Sequence, residues 1–544
     1  MGFAKGKRDW RRTALAMALA LACFFATWAV FGLRYELNDD AQLANIAMGA
    51  YGEDTHHLVY VNVLLGWFLK PFYALAANVN WYYFLQVAAN VAAFGMLGTL
   101  CMERLGTRRG LLLYGGVLLA FGVDMFNSFQ YTKNSALYLT VGLALLASEL
   151  GVWSLRTGAG LFWAVLGSMV RFQNFFAVGG LAAALLLWRF LCLEKRARLR
   201  ALAAAVALFA LVGAAKAVDL AAYSTGGWRS FTEYNAARTE FSDFKIYSYT
   251  DKTPQIEALG YTANDFDMLK SWSFYAPEVF TPQALDALSE NASQAGFVQT
   301  AKSTVYTLAG LLAGRPYRLA FGGVLLAWLF FAGKKGRLAF LGTMAVFGAE
   351  VFYLLYQGRF VRHVEFSMIL AAVVFGVMCI SPRAGAVPGR RALGFAAAAV
   401  CVVCLPYFMQ LRTDMQQYRI DRVDRPEYYE MSADKEHLYL MDVETLDSLA
   451  GNNVFHPRPA GFFSNIVELG GWLSGAPHRV EALAAYGVED PYRGITGDNV
   501  YLVDSVYVST KQAFLREHYG MEVEMEKLKD YTACSLYKVH EVQQ

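Results

Sequence analysis

The sequence predicts a polytopic α-helical membrane protein of about eleven transmembrane helices, followed by a small α/β domain. Three observations predict it. Apolar runs near twenty residues recur up to about position 410, the length that crosses a hydrocarbon core. Of 544 residues, 56% are hydrophobic, 15% aromatic and only 17% charged. A soluble chain of this length carries more charge. Lys and Arg also gather at the ends of particular runs, as cytoplasmic flanks do. The net charge of +3 is too small to suggest a nucleic-acid partner.

The elements follow in order. Residues 1–12 carry Lys5, Lys7, Arg8, Arg11 and Arg12 and precede an apolar run from Thr13 to Leu33. That run is longer than a signal-peptide core, so it reads as a retained span with a cytoplasmic N-terminus. Beyond it lies an outer loop, 34–80, opening on Asn38-Asp39-Asp40 and passing His56-His57. Leu58 to Val79 contains Asn62, Gly66, Lys70 and Pro71. It is poorly suited to cross lipid and reads as a surface helix broken at Pro71. Charge supports this. The span Trp81–Met102 ends on Arg104, Arg108 and Arg109, so it must start outside, where the Asp loop already is.

Further spans are expected near Gly110–Asn127, Asn134–Trp153, Leu161–Met169, Phe175–Phe190 and Ala201–Ala221. Arg171 separates two short ones. An arginine near membrane depth costs about 2.5–3.5 kcal/mol on insertion scales, so it faces a cavity or a partner. Residues 222–315 form a long polar outer region with Trp228, Tyr234, Asn235, Arg238, Asp243 and the aromatic cluster Trp272–Tyr275, read as an interface belt. Part of Thr300–Ala313 is expected along the surface. Asn291-Ala292-Ser293 fits a glycosylation acceptor but reads as a chance match. Spans resume at Pro316–Ala332, Leu338–Tyr356, Glu365–Ile380 and Leu393–Phe408, with Lys334, Lys335, Arg337, Arg383, Arg390 and Arg391 inside. The loop Gln357–His363 is basic although it lies outside, which points to an anionic partner.

An odd number of crossings leaves 411–544 outside. That tail reads as a separate soluble domain, with strands near His437–Val443, Val500–Val503 and Cys534–Val539 and helices near Val480–Tyr486 and Thr510–Tyr519. It holds no Gly-rich phosphate loop and no metal-spaced His/Cys set. Six of the seven cysteines lie in or beside apolar runs, which excludes a disulfide framework there. The Cys401/Cys404 pair sits inside one such run and reads as packing.

The layout resembles the GT-C class of membrane glycosyltransferases: one span, an outer loop opening on an acidic pair, a surface helix, a His-containing turn, a second surface helix, then the second span. Leu37-Asn38-Asp39-Asp40 looks like the acidic motif of that class. His56-His57-Leu58 stands where protein O-mannosyltransferase-like and aminoarabinose-transferase-like members carry a His/Pro-Pro-Leu turn, here without the two prolines. Tyr234-Asn235-x-x-Arg238 and Gly358-Arg359 resemble stretches of bacterial envelope members. The resemblance implies transfer of a sugar from a polyprenyl-phosphate or polyprenyl-diphosphate donor to a hydroxyl of a glycan, lipid or protein acceptor. The setting it implies is a bacterial inner membrane, with the C-terminal domain extracytoplasmic.

That chemistry needs a carboxylate to take the acceptor proton and cations to hold the lipid phosphate. Asp39 or Asp40 is the candidate base, with Asp39 the first choice and Asp40 read as the cap of a helix starting near Ala41. Lys133, Arg171, Arg238, Arg359 and Arg362 are the candidate cations, and His56, His57, Asn62, Tyr234 and His363 the other substrate-binding candidates. Arginine suits phosphate because its planar fork donates bidentately. Direct attack with a single base implies inversion. Some class members use a divalent metal; nothing in this sequence requires one. A polysaccharide polymerase or ligase would share the outer site and the arginines without needing the Asp pair. A lipid-linked-sugar transporter would place its polar residues in broken helices at mid-membrane.

Overall fold

The computed structural model describes residues 10–52, 56–243, 248–289, 296–380, 390–455 and 458–542. Lys5, Lys7, Arg8, Arg383 and the Asn291–Ser293 acceptor lie outside them. Among the described residues, eight helices are long and apolar enough to cross a membrane: Trp10–Val30, Trp81–Leu105, Thr107–Asn127, Phe172–Leu191, Lys195–Tyr223, Lys334–Tyr356, Arg362–Cys379 and Gly394–Asp421. Each of the remaining three predicted spans is also a helix: Tyr131–Ser148, Leu155–Val170 and Pro316–Phe331.

Tyr131–Ser148 is the axis of the bundle. Every residue from Tyr131 to Ala147 is buried. It carries Lys133 and Asn134, which dilute its apolar character, and its neighbours satisfy those groups. Glycines let Leu155–Val170 approach it closely. A Cβ on Gly142 would meet the backbone nitrogen of Ala164 at 2.5 Å, and one on Gly167 the carbonyl oxygen of Ser135 at 2.8 Å. The Ser135 hydroxyl donates to the Gly167 carbonyl at 2.7 Å.

Val63–Leu75 is one helix of 13 residues, and it runs through Pro71 instead of breaking there. The proline removes one interior donor, which a helix end exposed to a polar surface tolerates. At about 1.5 Å per residue it is too short to cross about 30 Å of hydrocarbon. Trp67, Phe68 and Leu75 are exposed on it. Phe297–Gly310 has a similar surface character, burying Thr300 and Thr304 while exposing Phe297, Val298, Val305 and Tyr306.

The last long helix, Arg390–Asp421, passes straight through position 411, so the soluble part starts later than the sequence suggests. Nor is that part separate. Strands β1 (Arg34–Tyr35) and β2 (Ser128–Phe129) form a short ladder of their own; the sheet of this part has strand order β4-β3-β5-β7-β6, with β3 (Leu438–Met441), β4 (Ile466–Glu468), β5 (Val500–Asp504), β6 (Val523–Asp530) and β7 (Ser535–Glu541). β3 runs parallel to β4 and β5, and the β5-β7-β6 part is antiparallel. Helices of the 226–289 region share its core: Phe241, Ile256, Phe266 and Leu285 lie in one cluster with Leu440, Val467, Leu502 and Phe514.

The Trp272–Tyr275 aromatics are part of this join and not an interface belt. Phe274 and Tyr275 are buried, the Tyr275 N–H donates to Leu469 O at 2.8 Å, and the Tyr492 hydroxyl donates to Ser273 O at 2.7 Å. The described helices between residues 226 and 289 and the tail therefore form one unit, called the outer unit after the side that the sequence predicts for it.

Candidate active site

A two-residue parallel ladder builds the site. Arg34–Tyr35 pairs with Ser128–Phe129, and the Glu36 N–H donates to Phe129 O at 2.8 Å. This sets the acidic loop beside the N-terminus of Tyr131–Ser148. The outer unit fastens the same loop from the other side. The Gly461 and Phe463 N–H groups donate to the carbonyls of Gly49 and Ala50, and Asn80 Nδ2 donates to Tyr35 Oη at 2.6 Å and Val454 O at 3.1 Å.

The two aspartates part company, as adjacent side chains at a helix start must. The helix begins at Asn38, not near Ala41, and its N-cap Leu37 has no capping side chain. Asp40 does not cap it. Its fully buried carboxylate turns to other helices, accepting from Tyr82 Oη at 2.9 Å and from the Tyr131 N–H at 3.2 Å. Burial first, then the neighbouring Asp39, raise its pKa well above the carboxylate range against those bonds. A folded state that holds this proton longer than the unfolded chain loses stability as pH rises from about 3.9 through the raised value. Asp40→Asn keeps an acceptor for both donors and removes that loss. Its expected melting temperature at neutral pH equals or exceeds the native one. Asp40→Ala orphans both donors at about 1–3 kcal/mol each. Thermal unfolding of the two purified variants checks this, and equal destabilisation by both would reject it.

Asp39 is only half-buried. Its pKa is also raised: burial lifts it most, and Asp243 adds to this, while Arg171, Arg238 and Arg359 pull it down. These four charged groups converge on it from three elements. Arg171 is the single residue between Leu155–Val170 and Phe172–Leu191, extended at φ −151°. It donates to Tyr131 Oη at 3.1 Å and lies 5.6 Å from the Tyr60 ring and 5.5 Å from the Tyr131 ring. Tyr60 feels Arg238, Asp39, Asp243 and Arg171, and burial pushes its phenol up to about 12. Arg171 and Tyr60 also line a cavity of about 100 Å³ with Asn62, Lys216 and Asp219.

The remaining candidates fall into two groups. Arg359 is 30% exposed and donates to Asp243 O at 2.9 Å, with Asp243 Oδ2 at 3.6 Å. Asp243, in turn, is held by Arg238 at 3.0 Å. Arg238 is buried, and all five of its N–H groups are engaged, by Asn235, Thr239, Ser242 and Asp243. It braces Asp243 and presents no spare donor to a phosphate. Lys133 and Arg362 belong to one charged quartet, in which the side chains of Lys133, Asp124 and Glu36 are buried and Arg362 is part-exposed. Lys133 pairs with Glu36 at 2.5 Å and Asp124 at 2.8 Å; Arg362 pairs with Asp124 at 2.6 Å and Glu36 at 3.7 Å. The Tyr407 hydroxyl donates to Asp124 at 2.6 Å. One turn of π-helix, Leu118–Gly122, precedes Asp124. His363 follows Arg362 and is half-buried.

His57, Asn62 and Tyr234 hold structure. His57 stacks on Trp228 at 4.2 Å and contacts Ala222 O through Nε2 at 3.3 Å. Burial, aided by His56, lowers it to about 4, so it is neutral at pH 7. His56 packs on Trp67 at 5.1 Å. Asn62 caps Val63–Leu75 through Leu64 N and donates to Ala215 O at 2.9 Å. The Tyr234 hydroxyl donates to Phe274 O at 2.9 Å.

Sequence reasoning overlooked Glu36, Asp124 and the part played by Asp243, Tyr60 and Tyr131. Asp243 had a signal, because an acid five residues after Arg238 comes within reach at a helix end. Asp265, Glu517 and His518 bring ligand atoms within 4.8 Å of one another in the outer unit. Internal hydrogen bonds join them: His518 to Asp265 at 2.6 Å and Thr262 to Glu517 at 2.9 Å.

No protein-family profile matches the chain, and no curated protein matches it. Among solved structures, a crystal structure of ArnT from Cupriavidus metallidurans bound to undecaprenyl phosphate is similar at 12% identity and a TM-score of 0.42, over 98% of each chain.

Proposed function

We propose that the chain is a GT-C-like membrane glycosyltransferase of the bacterial inner membrane, moving a sugar from a polyprenyl-phosphate donor to an acceptor hydroxyl on the outer face. The observation that carries the reading is the setting of Asp39. It is a half-buried carboxylate at one end of a helical bundle, beneath the outer unit, facing Arg171 and the Arg238–Asp243–Arg359 array.

In the proposed step the acceptor oxygen attacks the anomeric carbon and its proton passes to Asp39. The new C–O bond forms as the bond from the anomeric carbon to the phosphate oxygen breaks. The lipid phosphate takes the electron pair and leaves, facing Arg171 and Arg359. Asp39 then loses its proton to solvent. One displacement inverts the anomeric centre. Asp40, Tyr82 and the Tyr131 N–H hold the loop that aims Asp39. Arg238 holds Asp243, which sets Arg359.

Two measurements test the frame. Arg171→Ala is expected to lower transfer by tenfold or more, and Arg171→Lys by less than Ala yet still measurably, because lysine keeps the charge but loses the planar fork. Transfer unchanged by Arg171→Ala would remove Arg171 from the donor site. A periplasm-active reporter fused after Gln544 is expected to be active, placing the outer unit outside. Activity of a cytoplasmic reporter there would reverse the orientation.

A further inference from the structure

The far end of the bundle holds an arginine that no acid serves. Arg104 closes the helix Trp81–Leu105. It lies roughly 33 Å along that helix from Tyr82, which donates to Asp40, so it is no part of the proposed active site. Its Nη2 donates to two backbone carbonyls, Met378 O at 2.5 Å and Ile380 O at 2.6 Å. Its Nε is buried and has no hydrogen-bond partner. The neighbouring Glu103 is taken by Arg156. The Arg189 guanidinium lies within electrostatic reach and adds a second positive charge. An arginine at membrane depth faces a cavity or a partner.

Here there is a cavity, of about 40 Å³, and Arg104 is the one charged residue among those lining it. Its walls come from Trp81–Leu105, the helix that starts at Thr107, Tyr131–Ser148 and Arg362–Cys379. Leu97, Val117 and Ala144 are buried at its back, and Leu100, Leu113 and Val374 are partly exposed at its mouth. Apolar space of this kind stays dry, and hydrocarbon fills it without stranding a polar group. Beside the mouth the chain turns at Gly106, with φ 79°, and restarts at Thr107 as a helix whose first N–H groups no side chain caps. Arg108 and Arg109 stand in that first turn. Helix starts favour anions.

An apolar slot and a positive rim thus meet at Arg104. A free phosphate would use the rim and leave the slot empty. A neutral acyl chain would fill the slot and leave Arg104 Nε without an acceptor. A phospholipid satisfies both, with part of a chain in the slot and phosphate oxygens at the arginine. A headgroup with its own ammonium would set a cation against Arg104, Arg108 and Arg109, so a net negative headgroup fits best. We infer that this crevice binds an anionic phospholipid of the leaflet opposite the proposed active site, with Arg104 holding the phosphate. The inference stands apart from the glycosyltransferase reading, since no residue of that reaction lines the crevice.

The test is native mass spectrometry of the full chain in detergent, titrated with dioleoyl-phosphatidylglycerol and, as zwitterionic control, dioleoyl-phosphatidylcholine. Native protein is expected to bind its first phosphatidylglycerol at least tenfold more tightly than phosphatidylcholine. Arg104→Gln keeps an N–H donor for the carbonyls and loses the charge; Leu113→Trp fills the mouth and keeps the charge. Each is expected to bind that first phosphatidylglycerol at least tenfold more weakly. The lipid is also expected to raise the melting temperature of native protein and not of Arg104→Gln, because a ligand stabilises the fold that binds it. Arg171→Ala, which alters the proposed donor site, is expected to keep the native preference. Equal binding of both lipids by native protein, or undiminished phosphatidylglycerol binding by Arg104→Gln, overturns the inference. Leu113→Trp decides if Arg104→Gln does not fold, since it leaves every bond of Arg104 in place. Full binding by Leu113→Trp, or displacement of the lipid by inorganic phosphate, would mean a bare anion site and overturn the inference too. Loss of the preference in Arg171→Ala would put the lipid in the donor site instead.

Discussion

Asp39→Asn is expected to abolish sugar transfer while the protein still folds and binds polyprenyl phosphate. Asparagine keeps the size and the hydrogen-bonding oxygen but cannot take a proton. A positioned base contributes about 10²–10⁴-fold, which sets the expected loss. The pH dependence follows from the raised carboxyl. A base works ionised, so the native rate falls as pH drops through the group's pKa. The midpoint of that acid limb is expected above about 3.9, the value of a free aspartate. The measurement is transfer by purified variants in lipid, with donor binding followed separately. Near-native turnover by Asp39→Asn would reject the mechanism, and a dead, well-folded Asp40→Asn beside it would move the base to Asp40.

The largest effect on stability is expected at Lys133. It is fully buried and is the cation shared by Glu36 and Asp124. Lys133→Met leaves two carboxylates against one arginine in the quartet. Removing one partner of a buried ion pair costs about 3–5 kcal/mol, because a buried charge is left uncompensated. The variant is expected to be largely misfolded or degraded. Adding Asp124→Asn removes the surplus anion and leaves Glu36 to Arg362, with an acceptor still available for Tyr407. The double variant is expected to recover monodisperse protein and much of the lost melting temperature. Size-exclusion profiles and thermal unfolding in detergent decide it. A stable, folded single variant would mean that the quartet contributes little.

The bundle was legible because lipid imposes long apolar helices, and length and composition report that directly. All eleven predicted spans fall on helices, although Tyr131–Ser148, the most buried, is the least plain in sequence because its polar residues are matched inside the protein. The tail was read less well. β6 is largely exposed, with Glu and Lys along it, so no hydrophobic alternation marks it; such charges protect a sheet edge from further pairing. β4 has three residues, too few for a pattern. The join between 226–289 and the tail depends on residues some 200 positions apart, and no local period encodes that.

Within the site, residue type announced which groups can carry charge, and helix spacing announced that adjacent aspartates diverge. The sequence alone therefore determined a helical chain with runs long and apolar enough to cross a membrane, an acidic loop after the first of them, and a set of candidate cations further along. Only the tertiary structure decided what each charge does. Lys133 and Arg171 both stand among the candidate cations, and nothing local in the sequence says where either side chain is held. The fold turns the first inward onto Glu36 and Asp124 and leaves the second half-buried between Tyr60 and Tyr131. The physical reason is that charge is a property of the residue, while its worth depends on desolvation and on which partners lie within a few ångströms. Chain closure over long sequence distances sets both.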